Sequence, residues 1–217
     1  MNAIIIGASG LTGSLLLSLL IEDDGYDKIK VISRSPLKVK HSKIEETIVE
    51  FDALEKYTKS FVGEHLFCCI GTTKKKTPNQ SEYRKIDIDI PVNAAKICKK
   101  NDIKTLVVIS AIGANASSSF FYNKTKGEME DGILIQKIQH TIIVRPSLII
   151  GDRQEQRPAE KLGIVLFKAL QFLFIGPLKK YKAIQARSIA KSMIFLANTP
   201  QNKSVFESSE LERFSKK

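Results

Sequence analysis

The 217-residue sequence predicts an α/β fold: a doubly wound parallel sheet with helices on both faces. Three observations predict it. Short β-branched runs alternate with helix-like apolar spacing, several of those runs are apolar at every position, and a glycine-rich turn directly follows the first of them. Runs without polar alternation belong to strands buried on both faces, which is the situation inside a parallel sheet.

Ala3-Ile4-Ile5-Ile6 reads as the first strand, ending at Gly7, and the apolar residues from Leu15 to Ile21 then recur as in a buried helix. Ile29 to Ile32 reads as the second strand, Thr47 to Val49 as the third and His65 to Ile70 as the fourth. Between Asp87 and Lys100 the positions Ile90, Val92, Ala94, Ala95 and Ile97 fit a helix with a lysine-rich outer face, stopped at Asn101. Thr105 to Ile109 and Thr141 to Val144 are two more strands, flanking a helix from Phe121 to Lys137. Right-handed crossovers between such units leave a doubly wound order. A polar segment from Gly151 to Glu160 leads into the apolar stretch Leu162 to Ile175, a Gly176-Pro177 break, and a last helix from Ala186 to Asn198.

The length fits one domain over 1–217, with a core at 1–150 and substrate-side elements at 151–217. Hydrophobic residues at 43% and charged residues at 26% exclude a disordered chain. The net charge of +11 raises the question of nucleic acid. The lysines are spread along the chain, and the Lys74-Lys75-Lys76 cluster lacks interleaved aromatic residues, so the charge reads as a solvated surface that also attracts a phosphorylated cofactor. Cys68, Cys69 and Cys98 have no metal-ligand spacing, and the adjacent Cys68 and Cys69, inside an apolar run, read as core residues of a buried strand in a reducing compartment. The sequence enters a strand directly after Met1-Asn2 and holds no long uncharged apolar run, so the expectation is a cytoplasmic protein without a membrane span.

Gly7-Ala8-Ser9-Gly10-Leu11-Thr12-Gly13 places three glycines in the turn between the first strand and the first helix. The tight reversal, the close approach of a pyrophosphate and helix–strand packing each favour glycine. The free N–H groups at the helix start then meet the diphosphate along a favourable dipole. With strand before and helix after, this is the context that a dinucleotide-binding Rossmann turn requires. At the end of the second strand stands Ser33-Arg34, where that fold reads the adenosine ribose, with no Asp or Glu there to accept from a free 2′-hydroxyl. Arginine pairs with a 2′-phosphate, so NADP(H) is expected ahead of NAD.

Ser110 ends the fifth strand, and Tyr122 and Lys126 lie four apart at the start of the following helix, on one face. An ammonium beside a phenol lowers its pKa and makes it usable in acid–base chemistry on a carbonyl, with the serine hydrogen-bonding the substrate. Beyond the last core strand, Arg153 and Arg157 suit a substrate carboxylate or phosphate, or equally cap a helix and pair with Glu155 and Glu160. Leu162 to Ile175 has core packing as its default, with a pocket lid, a homodimer face or a membrane-touching helix as alternatives.

Gly-Ala-Ser-Gly-Leu-Thr-Gly at 7–13, Ser33-Arg34, Cys-Ile-Gly-Thr-Thr at 69–73, Ser-Ala-Ile-Gly-Ala at 110–114, Phe-Tyr-Asn-Lys-Thr-Lys-Gly-Glu at 121–128 and Arg-Pro-Ser at 145–147, with Gly-Asp-Arg-Gln-Glu-Gln-Arg-Pro at 151–158, form a recognisable set. It resembles the atypical short-chain dehydrogenase/reductases related to the Tat-interacting protein oxidoreductase. The resemblance implies active-site positions for Ser110, Tyr122 and Lys126, with Lys126 also on the cofactor. It implies a cofactor lined by Gly7, Ser9, Gly10, Leu11, Thr12, Gly13, Ser33, Arg34, Ile70, Gly71 and Thr72, with Asp52 beside the adenine and Pro146, Ser147 and Leu148 towards the nicotinamide.

Two functions follow as expectations: an NADPH-dependent oxidoreductase for a small carbonyl or hydroxyl substrate, or an NADPH-binding regulator or assembly partner with little catalysis. The region after 160 is short for a nucleotide-sugar pocket, and the missing acid near Ser33 argues against an epimerase with tightly held NAD.

Overall fold

The strands are held by burial on both faces, and their side chains alternate between two cores. In a computed structural model that describes residues 1–151 and 181–217, β1 (Asn2–Ile6) sends Ala3 and Ile5 to one side and Ile4 and Ile6 to the other, all fully buried. That division of alternate residues between faces is what a strand with helices above and below demands.

The remaining elements are α1 (Leu11–Glu22), β2 (Lys28–Ser33), β3 (Ile44–Ile48), a 3-10 segment (Phe51–Ser60), β4 (His65–Cys68), α2 (Gln80–Arg84), a π-helical turn (Lys85–Asp89) and α3 (Ile90–Lys100). After these come β5 (Thr105–Ile109), α4 (Phe121–Leu134), β6 (His140–Arg145), β7 (Ile149–Ile150), β8 (Ile184–Gln185), α5 (Ala186–Ala197), β9 (Val205–Glu207) and α6 (Ser208–Phe214). Among the described residues seven strands form one sheet in the order β3-β2-β1-β4-β5-β6-β9, every neighbouring pair parallel. This is the Rossmann-like arrangement expected, and its strand order reverses at β1 and β4, where such sheets open a ligand crevice at their carboxyl edge. On one face Leu16, Leu17 and Leu20 of α1 meet Ile189 and Met193 of α5. On the other, Ala94 and Cys98 of α3 meet Met129 and Ile133 of α4.

The boundaries differ from the sequence expectation where tertiary contacts override local propensity. The third strand runs over Ile44–Ile48 and takes in Glu45 and Glu46, poor strand formers. At an exposed edge the strand tolerates them, and Glu45 pairs with Lys28 at 2.7 Å and Lys30 at 3.4 Å on β2. The helix expected from Asp87 begins as a separate π-helical turn, so its first residues do not share the register of α3. The strand β9 is only Val205-Phe206-Glu207, too short to show a period, yet Phe206 is buried and packs edge-on to Phe214. The expected strand residue Cys69 lies just past β4, while Cys68 and Cys98 are buried core thiols. Arg153, Arg157 and the Leu162 to Ile175 stretch lie outside the described residues. Among the described residues no helix is long and apolar enough to cross a membrane.

At the amino edge of the sheet, Asn198 Nδ2 donates to the Tyr26 hydroxyl at 2.9 Å, and that hydroxyl lies 2.8 Å from His65 Nδ1. His65, hydrogen-bonded to that hydroxyl, is buried as a neutral imidazole with its pKa held below 6.5, chiefly by burial. The unfolded chain therefore binds the proton first on acidification. Folding stability contributed by this group is present above about pH 6.5 and declines as the pH falls towards the depressed value. Thermal melts between pH 5 and 7.5 should show this slope, and His65→Gln should reduce it. Tyr26→Phe strands two polar groups and should cost about 1–3 kcal/mol at neutral pH.

Candidate functional site

The glycine turn closes only because of what its glycines lack. Gly7 leaves β1 at a φ of 84°, and a Cβ there would lie 2.7 Å from the Cys69 carbonyl carbon at the end of β4. A Cβ on Gly13 would sit 2.1 Å from the Gly7 oxygen. Gly10 donates to Gly7 O at 3.0 Å and caps α1 with no side chain of its own. No side-chain acceptor caps this helix and no acidic residue occupies its first turn, so its N–H groups face outward as donors. Ser9 and Gly10 are exposed, Leu11 is half-buried, and Thr12 and Gly13 are buried beneath the turn.

At the end of β2, Ser33 is half-buried and Arg34 exposed, and Arg34 makes no hydrogen bond or ion pair with any described residue. The expectation that no acid stands here is corrected. Glu46 Oε1 on β3 accepts from Ser33 Oγ at 2.9 Å and from the Leu37 N–H at 2.9 Å. The signal was hidden because the acid arrives from the neighbouring strand, where Glu46 pairs with Val31 in register. Asp52 is exposed in the first turn of the 3-10 segment.

Past β4, Ile70 is half-buried, Gly71 exposed and Thr72 half-buried. A Cβ on Gly71 would stand 3.5 Å from Asp87 Oδ1 and 3.7 Å from Lys126 Nζ. These last two atoms form an ion pair at 2.7 Å with almost no exposure of either side chain, while Asp87 Oδ2 accepts from the Thr72 N–H at 2.8 Å. Asp87 is thus a site residue that local pattern did not single out. It ties the β4 loop, the π-helical turn and α4 together at one buried charge pair. The Tyr83 hydroxyl reaches Thr72 O at 3.4 Å, and its ring meets Phe121 edge-on at 5.3 Å.

Ser110 and Lys126 are buried, whereas Tyr122 is 46% exposed. Burial raises the phenol pKa of Tyr122 above its ordinary value, the Lys126 ammonium lowers it, and Asp87 raises it again. The net direction is upward, opposite to expectation, because burial outweighs the pull of the ammonium, which Asp87 also offsets. The Ser110 hydroxyl donates to buried Glu130, whose carboxylate is gripped by Arg145 through both Nε, at 2.9 Å, and Nη2. Glu130 and Arg145 also escaped the sequence reading, since α4 and β6 meet only in the folded chain. Pro146 is buried and accepts from the Ile112 N–H at 3.0 Å. Ser147 takes a hydrogen bond from Ser208 Oγ at 3.0 Å and donates to Lys182 O, and Leu148 is 44% exposed. Among the described residues no group of side chains could hold a metal ion.

A family model described as NAD(P)H-binding matches residues 7–159. A mitochondrial FMP52 protein of Meyerozyma guilliermondii is 37% identical over 92% of this chain and 87% of its own length. The chain belongs to this NAD(P)H-binding family, within the atypical short-chain dehydrogenase/reductases. Another member, protein HTATIP2 of Rattus norvegicus, is 32% identical over 78% of this chain and 71% of its own length.

Solved structures share the fold at low identity. The enzyme WbmG of Bordetella bronchiseptica in complex with NAD aligns at a TM-score of 0.71 and 17% identity over 95% of this chain and 71% of its own. A short-chain dehydrogenase/reductase superfamily protein of Agrobacterium tumefaciens with bound NAD gives 0.72 at 9% identity, over 95% and 76%. The cytoplasmic expectation is overturned, because six relatives of the FMP52 type are named as mitochondrial proteins. Reduced cysteines report a reducing compartment and do not say which one.

Removing one partner of a buried ion pair leaves an uncompensated charge, so Asp87→Ala should cost about 3–5 kcal/mol in denaturant unfolding. The double variant Asp87→Ala/Lys126→Met should recover a measurable part of that loss, which a double-mutant cycle reads directly.

Proposed function

We propose that this chain is an NADPH-dependent oxidoreductase acting on a small carbonyl or hydroxyl compound. One observation carries the reading: the Cys69-Ile70-Gly71 segment touches the glycine turn at one end and the Lys126–Asp87 pair at the other. A dinucleotide lying with its diphosphate on Gly7, Ser9, Gly10, Leu11, Thr12 and Gly13 would run past Ile70, Gly71 and Thr72 towards Tyr122 and Lys126. When bound, the cofactor supplies the hydride. The other end of the cofactor falls to Ser33, Arg34 and Asp52, and Pro146, Ser147 and Leu148 border the nicotinamide side.

In this reading Tyr122 donates the proton to the carbonyl oxygen. A phenol whose pKa is raised stays protonated at neutral pH, which suits the acid in the reducing direction. Lys126, fixed by Asp87, supplies positive charge beside it and a donor for the nicotinamide ribose. Ser110 has its proton committed to Glu130, so the lone pairs of its oxygen accept from the hydroxyl form of the substrate and not from the carbonyl form. Arg153 and Arg157 would hold an anionic group of the substrate. The names of the relatives favour a mitochondrial setting.

A second reading, an NADPH-binding regulator or assembly partner with little chemistry, draws on the same commitments: the Ser110 proton is given to buried Glu130 and the Lys126 charge is paired with buried Asp87. The two readings differ in one experiment. The oxidoreductase consumes NADPH with some small aldehyde or ketone, and Tyr122→Phe reduces turnover at least about 100-fold with cofactor binding retained. Its reduction rate stays level from neutral pH into the range where an ordinary tyrosine ionises, and falls only above it. A Tyr122→Phe variant with undiminished turnover removes Tyr122 from the chemistry. NADPH binding without consumption across the carbonyl panel supports the regulator.

A further inference from the structure

The turn after β2 is where folds of this class meet the adenosine ribose, and the geometry there points to Glu46 as the residue that sets selectivity between NADP(H) and NAD(H). The inference rests on the assignment of Ser33-Arg34 to the ribose-facing turn. Ser33 has a single hydroxyl proton, and two acceptors compete for it at 2.9 Å: the Ser35 carbonyl and the Glu46 carboxylate. Whichever takes it, the hydroxyl presents only lone pairs outward. A 2′-phosphate consists of acceptors and is close to doubly charged at neutral pH, so it finds no proton on Ser33 and a carboxylate beside it. A free 2′-hydroxyl is a donor, and both Ser33 Oγ and Glu46 can accept from it.

The turn therefore contains opposed elements. Arg34, with no described partner, attracts the 2′-phosphate, and Glu46 repels it. Glu46 differs from its neighbour Glu45 in this respect. Glu45 is neutralised by Lys28 and Lys30, whereas Glu46 has no described cation and spends its Oε1 on the turn itself. Its bond to the Leu37 N–H ties the carboxylate to the loop that carries Arg34. Glu46 holds the preference for NADPH down without reversing it.

The test is calorimetric binding of NADPH and of NADH to the wild-type protein, Glu46→Gln and Arg34→Ala, with a thermal melt of each. Glutamine keeps an acceptor for Ser33 and Leu37 and removes only the charge. Glu46→Gln should tighten NADPH about tenfold, which is about 1.4 kcal/mol, and change NADH by less than about twofold. Arg34→Ala should move the ratio the other way. A Glu46→Gln ratio equal to the wild-type ratio, or equal weakening of both cofactors, overturns the inference and leaves Glu46 as a loop tie. Ser33→Ala gives an independent check: it should weaken NADH more than NADPH, and the reverse outcome overturns the assignment of Ser33 as an acceptor. Dinucleotide binding with no redox turnover removes the oxidoreductase reading while the binding ratio still decides Glu46; absence of binding by either dinucleotide overturns both.

Discussion

Because every strand of the central sheet runs parallel, all carboxyl ends emerge at one edge, and each connection must cross back to the opposite edge before the next strand begins. This constraint fixes where chemistry can occur. The glycine turn after β1, the Ser33-Arg34 turn after β2, the Gly71-Thr72 loop after β4 and Ser110 after β5 converge only because their strands point the same way. At the strand-order reversal between β1 and β4, the Gly7 backbone packs against Cys69, and the crevice is lined from both sides.

Within that crevice the polar groups are organised as buried pairs. Lys126 and Asp87 compensate each other's desolvation, and Glu130 is satisfied by Arg145 and Ser110 together. Such pairs add little net stability over an apolar alternative, but breaking one is costly, so they specify geometry more than they strengthen the fold. The π-helical turn brings Asp87 to its lysine: it gives Lys85–Asp89 a register distinct from that of α3. The burial of these groups also changes the acid–base picture. Lys126 pulls the phenol pKa of Tyr122 down, but burial and Asp87 push it up by more, and Tyr122 stays on the protonated side.

The sequence by itself determined whatever depends on neighbours in the chain. Apolar runs gave the buried strands, since burial on both faces leaves no polar alternation to obscure them. The spacing of Gly7, Gly10 and Gly13 gave the dinucleotide turn, because its steric demands fall within seven consecutive residues. Tyr122 and Lys126, four apart on one helix, and Arg34 at a strand end were legible for the same reason. The first half of the edge strand β3, through Glu45 and Glu46, and the three-residue β9 were not, since their pairing compensates for weak local preference.

Only the tertiary structure decided which charges meet. Glu46 reaches Ser33 across a parallel strand pair, Asp87 reaches Lys126 from another helix, and Glu130 on α4 joins Arg145 on β6 to Ser110 on β5. None of these contacts has a fixed spacing in sequence, because loop length between parallel strands is free to vary while the sheet register is not. The physical reason is desolvation: once these groups leave water, each must find a partner, and the fold selects which one.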